Sequence, residues 1–208
     1  MEVDHGKFFA LDEKKQNSIV NAALQCFGKH GYDKASISDI ATSAGISKAS
    51  VFQYFGNKLK LYEYLLLYCE KLLKESFQDK SEQSDLFDRI LASSFMEMDL
   101  LKRNPYISQF IAGAWTENAR DVQDILTEFR AETNQFRDSF ILKDEDVIKF
   151  KNSDDAKTVA GILNLMAEGY AIRFQREIAH SECELVLSEF QEMMEAIRRN
   201  FYKEEYLL

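Results

Sequence analysis

The chain has 208 residues, of which 26 are Lys or Arg and 35 are Asp or Glu, so its formal net charge is -9. That length can bury a sizeable core as one large or two small domains, and no stretch approaches the roughly 20 apolar residues of a membrane span. A single proline and eight glycines leave long segments free of helix breakers, which predicts an all-α fold.

Cysteine usage and the distribution of charge bear on location and partner. Cys26, Cys69 and Cys183 lie far apart, and the start of the chain lacks the apolar core of a secretory signal, so we expect a soluble, cytoplasmic protein. Residues 1–60 contain eight lysines and six carboxylates, a net charge of +2, whereas the remainder has eighteen basic and twenty-nine acidic residues. The acidic total therefore does not exclude a nucleic-acid partner for the N-terminal region.

The first sixty residues predict three short helices and the start of a fourth. A first helix is expected over residues 12–30, with Gly31 as its stop. Ser36 is placed to cap a second helix, and Ser47 to cap a third that ends near Phe55. An Ala-Gly-Ile turn separates the second helix from the third.

The rest of the chain is also predicted to be helical. Asn57 caps a fourth helix of about five turns, and the polar run KSEQSD, at residues 80–85, predicts a loop after it. The run KDEDVIKFKNSD, which ends at Asp154, predicts a second loop with a short extended piece. The remaining helices are expected at about Asp85–Arg103, Pro105–Trp115, Ala119–Ile141, Asp154–Ala179 and Ser181–Tyr206.

The second and third helices have the spacing of a helix-turn-helix. A recognition helix must fit a major groove about 12 Å wide, so its outer side carries small or hydrogen-bonding residues while the other side packs inward. The third helix fits this pattern, with Val51 and Phe55 directed inward. The alternative is an ordinary solvated face of a three-helix bundle. The predicted DNA-binding residues are Ser36, Ser47, Lys48, Ala49, Ser50, Gln53, Tyr54 and Lys58.

The stretch GYDKASISDIATSAGISKASVFQYFGNKLKLY, at residues 31–62, resembles the DNA-binding domain of the tetracycline-repressor family of transcriptional regulators. In that family the first recognition-helix aromatic is usually a tyrosine that can reach a phosphate. Here that residue is Phe52, which makes Tyr54 the candidate.

That resemblance implies a function and a division of the chain. It implies a homodimer that binds a palindromic DNA operator and releases this DNA when a small-molecule effector binds. Residues 1–57 would form the helix-turn-helix DNA-binding domain. Residues 58–208, joined to it through the long fourth helix, would form a helical effector-binding and dimerisation domain.

The last two predicted helices carry more than one apolar face, so each needs more than one partner surface. The last helix has a seam of 3-4-3-4 spacing, and the preceding helix has an i, i+4 stripe beside a second apolar edge. We therefore expect a four-helix interface between two subunits, with a monomer core as the alternative. The predicted interface residues are Ile162, Met166, Leu187, Phe190, Met194 and Ile197.

Aromatic residues of the C-terminal half are candidates for lining an effector cavity, although residues of this type more often pack in a core. Glu168 lies beside Gly169 on an apolar helix, and a buried carboxylate there would favour a cationic or hydroxyl-bearing effector. The predicted pocket residues are Phe95, Tyr106, Phe110, Trp115, Phe129, Glu168 and Tyr170.

Catalysis and metal binding find little support in the residues. His5, His30 and His180 are isolated, and no nucleophile-base grouping or glycine-rich phosphate loop is present. We therefore expect no cofactor, no metal and no enzymatic activity. The competing class is a helical ligand-binding or scaffolding dimer that does not bind DNA, which the acidic remainder and Phe52 would suit.

Overall fold

The computed structural model describes residues 5–77, 85–177 and 183–207. Their secondary structure is helical except for one isolated bridge between Phe150 and Tyr202, so the predicted all-α class is confirmed. Among these residues every helix is too short or too polar to span a bilayer. The helices are α1 (Gly6–Phe9), α2 (Glu13–Lys34), α3 (Ile37–Ser43), α4 (Lys48–Phe55), α5 (Lys58–Phe77), α6 (Leu86–Arg103), α7 (Pro105–Thr116), α8 (Gln123–Ile141), α9 (Asp144–Val147), α10 (Asp155–Glu177) and α11 (Cys183–Phe201), with 3-10 turns at Arg120–Val122 and Glu204–Tyr206.

The first long helix is interrupted where the sequence predicted its end. Asp12 caps α2, and its side chain accepts a hydrogen bond from the N–H of Lys15. Gly31 has a φ of 71° and a ψ of 174°, which are not helical values. The regular helix therefore ends at the predicted glycine, and a short further helical stretch runs on to Lys34 before the chain becomes extended at Ala35.

Two short helices were not predicted. α1 precedes the Asp12 cap, and α9 lies inside the run KDEDVIKFKNSD that was predicted to be a loop. The extended piece expected in that run corresponds to the bridge that Phe150 makes with Tyr202. Of the predicted loop KSEQSD, residues 80–84 lie outside the described residues, as do residues 178–182 between the last two helices.

The first compact unit contains residues 1–72 and 104–132. In this unit α2 packs against α3 and α7, while α4 packs against α3 and α1. α2 and α7 come closest at Gly28, where an added Cβ would lie 3.0 Å from the backbone nitrogen of Phe110. A side chain at this position would force the two backbones apart. Fully buried residues of the unit include Ile19, Leu24, Phe27, Ile40, Phe55, Leu61 and Leu65.

The second compact unit contains residues 73–103 and 133–208. Three of its helices, α6, α10 and α11, pack against one another. Its core also includes the segment after α9 and the end of the chain, which the bridge holds together. The buried core residues include Leu86, Phe87, Ile90, Phe150, Leu163, Phe190, Met194 and Tyr202.

Charged groups are buried inside this second unit. The side chains of Arg89 in α6 and Asp146 in α9 are both fully buried and form a direct ion pair. Arg198 of α11 pairs with Asp85 at the start of α6. Burial raises the pKa of the Tyr202 hydroxyl, and the negative charges of Asp85 and Asp146 raise it further. These groups join three helices through charge as well as through apolar contact.

Candidate nucleic-acid interface

Two capped helix starts and a glycine turn set the geometry of the helix-turn-helix. Ser36 Oγ accepts a hydrogen bond from the N–H of Asp39 (3.4 Å), and Ser47 Oγ accepts one from the N–H of Ser50 (3.0 Å). Gly45 has a φ of 65°, a left-handed conformation that glycine adopts without steric cost. The caps predicted from the sequence are therefore present, and they fix where α3 and α4 begin.

Lys15 of α2 holds this turn from the side. Its Nζ donates hydrogen bonds to the carbonyl oxygens of Ala44 (3.3 Å) and Gly45 (3.1 Å). The positive charge therefore lies at the C-terminal end of α3, where the helix dipole favours a cation. The sequence did not indicate this role, because the contact joins residues about thirty positions apart.

α4 has one buried side and one exposed side. Val51 and Phe55 are buried, as predicted. Phe52 is 41% exposed, and Lys48 Nζ lies 5.9 Å from the centre of its ring. Apolar exposure of this kind on a polar helix is available to a partner. The predicted reading residues of α4 divide into the exposed Ser47, Lys48, Ala49 and Gln53 and the half-buried Ser50 and Tyr54.

Two predicted phosphate contacts lie outside α4. Ser36 is half-buried and uses its hydroxyl oxygen to cap α3. Lys58, at the start of α5, donates from Nζ to the carbonyl oxygen of Asp33 (3.1 Å) and lies 4.7 Å from the centre of the Tyr32 ring. The last turn of α2 therefore holds this cation beside the N-terminus of α5.

Tyr32 is in turn held by a carboxylate from the other part of the same compact unit. Glu117 Oε2 accepts a hydrogen bond from the N–H of Tyr32 (2.6 Å), and Oε1 accepts from the N–H groups of Asn118 and Ala119 (2.9 Å each). The kink at Gly31 points this N–H away from the helix, which leaves it free to meet the carboxylate. The end of α7 is thereby tied to the end of α2.

Opposing effects set the pKa of Glu117. Burial acts to raise it, but hydrogen bonds from the N–H groups of Tyr32, Ala119 and Asn118, together with the charge of Arg130, lower it by more. The net pKa lies below the ordinary value. Glu117 is therefore a carboxylate in the folded protein near neutral pH.

Sequence reasoning also missed a contact that the N-terminal segment makes with α4. Phe8 of α1 is fully buried, with its ring centre 5.0 Å from that of Phe55. His5, the residue before α1, places Nδ1 3.2 Å from the carbonyl oxygen of Tyr54. The pair Phe8-Phe9 just before the Asp12 cap was the available signal, since exposed loops seldom carry adjacent phenylalanines.

The predicted pocket residues of the first unit belong largely to its packed interior. Phe110 is fully buried, with its ring centre 5.2 Å from that of Tyr62. Phe129 is also buried, 6.4 Å from the half-buried Trp115. Tyr106 is exposed. An effector cavity lined by these residues stays a prediction.

The other three predicted pocket residues lie in the second unit. Phe95 is exposed, whereas Glu168 and Tyr170 are half-buried. The ring centre of Tyr170 is 5.1 Å from that of Phe190, and its hydroxyl donates to Met193 Sδ at 3.0 Å. Tyr170 is therefore engaged with α11, and a role for Glu168 in effector binding stays a prediction.

The predicted interface residues do not share one environment. Phe190 and Met194 are fully buried in the core of the chain itself, because they form the inward side of α11. They support α11 and offer no surface to a second subunit. Ile162 is exposed on α10. Met166, Leu187 and Ile197 are half-buried.

Comparison with known proteins agrees with the helix-turn-helix geometry. Residues 19–65, which cover most of α2, all of α3 and α4 and the start of α5, match the family model described as bacterial regulatory proteins, tetR family. Residues 19–65 therefore have the helix-turn-helix sequence of the tetR family. The resemblance to this family that residues 31–62 indicated is thereby confirmed.

Named proteins are similar to parts of this chain. It is 33% identical over 72 residues to the biofilm operon icaADBC HTH-type negative transcriptional regulator IcaR of Staphylococcus aureus strain Newman, a match that covers 33% of this chain and 39% of IcaR. It is 21% identical over 175 residues to the nucleoid occlusion factor SlmA of Pasteurella multocida, covering 80% of this chain and 85% of SlmA.

Solved structures share the fold over most of the chain. A TetR family transcriptional regulator from Chloroflexus aurantiacus has a TM-score of 0.67 at 20% identity, with 95% of this chain and 98% of that chain covered. NalD, the secondary repressor of the MexAB-OprM multidrug efflux pump in Pseudomonas aeruginosa, also has a TM-score of 0.67, at 17% identity, with 92% and 98% covered.

Proposed function

We propose that this protein is a transcriptional repressor that binds a palindromic operator as a homodimer through α4 and releases it when a small-molecule effector binds. The observation that carries the proposal is the exposed side of α4. It presents hydroxyl, ammonium and amide groups from Ser47, Lys48 and Gln53, while Val51 and Phe55 anchor the helix from behind. The named function of IcaR as a negative regulator supports repression.

The chemistry of the α4 side chains suits a major groove. Lys48 and Gln53 can bond base edges, and Ala49 leaves room for a thymine methyl group. Ser47 and the free N–H groups at the start of α4 suit a phosphate. The half-buried Tyr54 and the cation of Lys58 would add phosphate contacts, which set the register of the protein on the duplex.

A genomic binding selection with the purified full-length protein at two salt concentrations tests the DNA-reading face. We expect enrichment of one palindrome. We expect Lys48→Ala to weaken binding to that sequence by about 1–3 kcal/mol, the range for a base contact. Tyr54→Phe should weaken operator and non-specific DNA alike, because a phosphate contact carries no sequence information.

A charge-matched control separates base reading from net charge. Lys102 is exposed on α6 in the second unit, and Lys102→Ala removes the same charge without touching α4. We expect it to bind the selected palindrome as the unchanged protein does. If the unchanged protein and the three variants all retain DNA equally weakly and no sequence is enriched, DNA reading is contradicted. The ligand-binding or scaffolding dimer is then favoured.

Dimerisation is supported by apolar side chains that the single chain leaves exposed on α10 and α11. Leu165 is 71% exposed, and Ile162, Leu185 and Met193 are each about half exposed. Large apolar side chains left exposed on two helices are the kind of surface that a second subunit would cover. A dimer is also what operator binding requires, since two recognition helices about 34 Å apart meet successive major grooves.

Substitution of an exposed leucine tests the dimer. We expect Leu165→Glu to convert a dimer to a monomer, because two buried carboxylates would face each other across the symmetric contact. Light scattering coupled to size-exclusion chromatography measures the mass. Ile148→Glu is the control, because Ile148 is 61% exposed in the same unit but lies outside α10 and α11. If the Leu165→Glu variant is still a dimer, the contact between the subunits does not include Leu165.

Effector response is the part of the proposal that rests most on the family resemblance. α5 directly follows α4. The last residues of α5, from 73 onward, belong to the second unit. A shift of α5 on effector binding would change the spacing of two reading helices, with a coupling free energy of typically about 1–3 kcal/mol. The genes beside the selected palindrome would indicate the chemical class of the effector.

A further inference from the structure

The segment before α2, which consists of His5 and α1, packs against the end of α4. His5 and Phe8 contact both the last turn of α4 and Tyr64 of α5. The ring centre of His5 lies 5.6 Å from that of Phe55 and 5.3 Å from that of Tyr64. A second side chain of the segment, Phe8, lies 5.4 Å from Tyr64 and 6.3 Å from Tyr54. One aromatic cluster therefore joins three helices.

This segment is itself fixed to α2. Gln16 Nε2 donates hydrogen bonds to the carbonyl oxygens of Leu11 (2.8 Å) and Phe9 (3.3 Å). Asp12 caps α2 directly after these residues. The position of α1 is therefore set by α2, which also holds the helix-turn-helix through Lys15.

The end of α4 needs such support. A helix of eight residues is too short to be stable without tertiary contacts, and its last four carbonyl groups need partners from outside it. The N–H groups of Gly56 and Asn57 bond to the carbonyl oxygens of Phe52 and Phe55. His5 Nδ1 donates to another of the last four carbonyls, that of Tyr54. A carbonyl oxygen only accepts, so the proton of the imidazole lies on Nδ1 in this contact. Phe8 fills the apolar space behind the same turn.

We propose that His5 and Phe8 are positioning residues for DNA reading, which brace the last turn of α4 and so hold Gln53 and Tyr54 in the geometry that contacts the operator. The inference rests on the proposed function of α4. Neither residue touches DNA in this arrangement. They act through the backbone of Tyr54 and the ring of Phe55.

Two variants and two controls in the full-length chain test the brace. His5→Ala removes the donor and Phe8→Ala removes the buried ring. His5→Asn keeps an N–H donor of similar reach and should restore most of the binding. Leu67→Ala is the matched control, because Leu67 is also a large apolar side chain of this unit but is 59% exposed.

We expect His5→Ala and Phe8→Ala to weaken operator binding by about tenfold, within the range that one base contact carries. The slope of log affinity against log salt should stay the same, because neither variant removes a cation that contacts phosphate. Amide hydrogen exchange at residues 52–56 should become faster in both variants and stay unchanged in Leu67→Ala.

The exchange measurement needs no DNA, so it separates failure of the brace from failure of the proposed function. Unchanged exchange in His5→Ala would overturn the brace even if the protein binds DNA. A salt slope lowered by about 0.9 in His5→Ala would show a direct phosphate contact instead, and would also overturn it. If Phe8→Ala does not fold, the half-buried His5 still decides the result.

Discussion

Replacement of Asp146 by asparagine is expected to lower the free energy of unfolding by about 3–5 kcal/mol, the cost of breaking a buried ion pair on one side. The side chains of Asp146 and Arg89 are both fully buried. Asparagine has nearly the same shape but only one acceptor oxygen, so it keeps one of the two hydrogen bonds that Asp146 accepts, from the N–H of Leu86 on Oδ1 (3.2 Å) and from the N–H of Lys143 on Oδ2 (3.0 Å). The change therefore removes charge from beside the buried guanidinium with little loss of volume.

Urea unfolding of the full chain, followed by circular dichroism, measures this effect. Asp144→Asn is the control, because Asp144 is exposed on the same short helix, and we expect it to change stability by less than about 1 kcal/mol. The double variant Arg89→Met with Asp146→Asn should lose less than the sum of the two single variants, because no buried charge remains at the site. Additive losses would contradict a direct Arg89–Asp146 interaction.

Replacement of Glu117 by alanine is expected to cost about 2 kcal/mol of stability, because three backbone N–H groups lose a charged acceptor. One of these donors is Tyr32, which lies 85 positions away and ties the end of α2 to the end of α7. Glu128→Ala, an exposed change on α8, is the control. Equal stability of the Glu117 and Glu128 variants in urea unfolding would show that water replaces the carboxylate without cost.

The pH dependence of the same site has a defined sign. The pKa of Glu117 is lowered in the folded protein, so the unfolded chain binds its proton more readily. The stabilisation from the carboxylate is complete above the unfolded pKa of about 4.3 and disappears as the pH falls through the folded value. We therefore expect the stability difference between the unchanged protein and Glu117→Gln to shrink on acidification. A constant difference would contradict this pKa shift.

The features that the sequence predicted well depend on neighbouring residues. The caps at Ser36, Ser47 and Asn57 each bond an N–H three residues further on, and the turn at Gly45 needs only a positive φ. Local chemistry of this kind can be read from a short stretch. The buried and exposed sides of α4 followed from the same local pattern.

The features that the sequence did not predict depend on residues far apart in the chain. The inward positions of Phe190 and Met194 follow from packing with α6 and α10, which apolar spacing on α11 cannot distinguish from a subunit contact. The contact of Glu117 with Tyr32 and that of His5 with Tyr54 join distant segments. Their residue types are polar and unremarkable in sequence, so only tertiary structure indicates their roles.

The close crossing of α2 and α7 limits how this protein can be recombined with others. Gly28 lets the backbone of α7 approach so closely that the side of α2 around it is covered by residues from beyond position 104. A hybrid regulator that borrowed only residues 1–57 would present this side of α2 to a foreign helix shaped for another partner. Exchange of DNA specificity between relatives therefore calls for grafting the exposed α4 side chains alone, or for moving α7 together with residues 1–57.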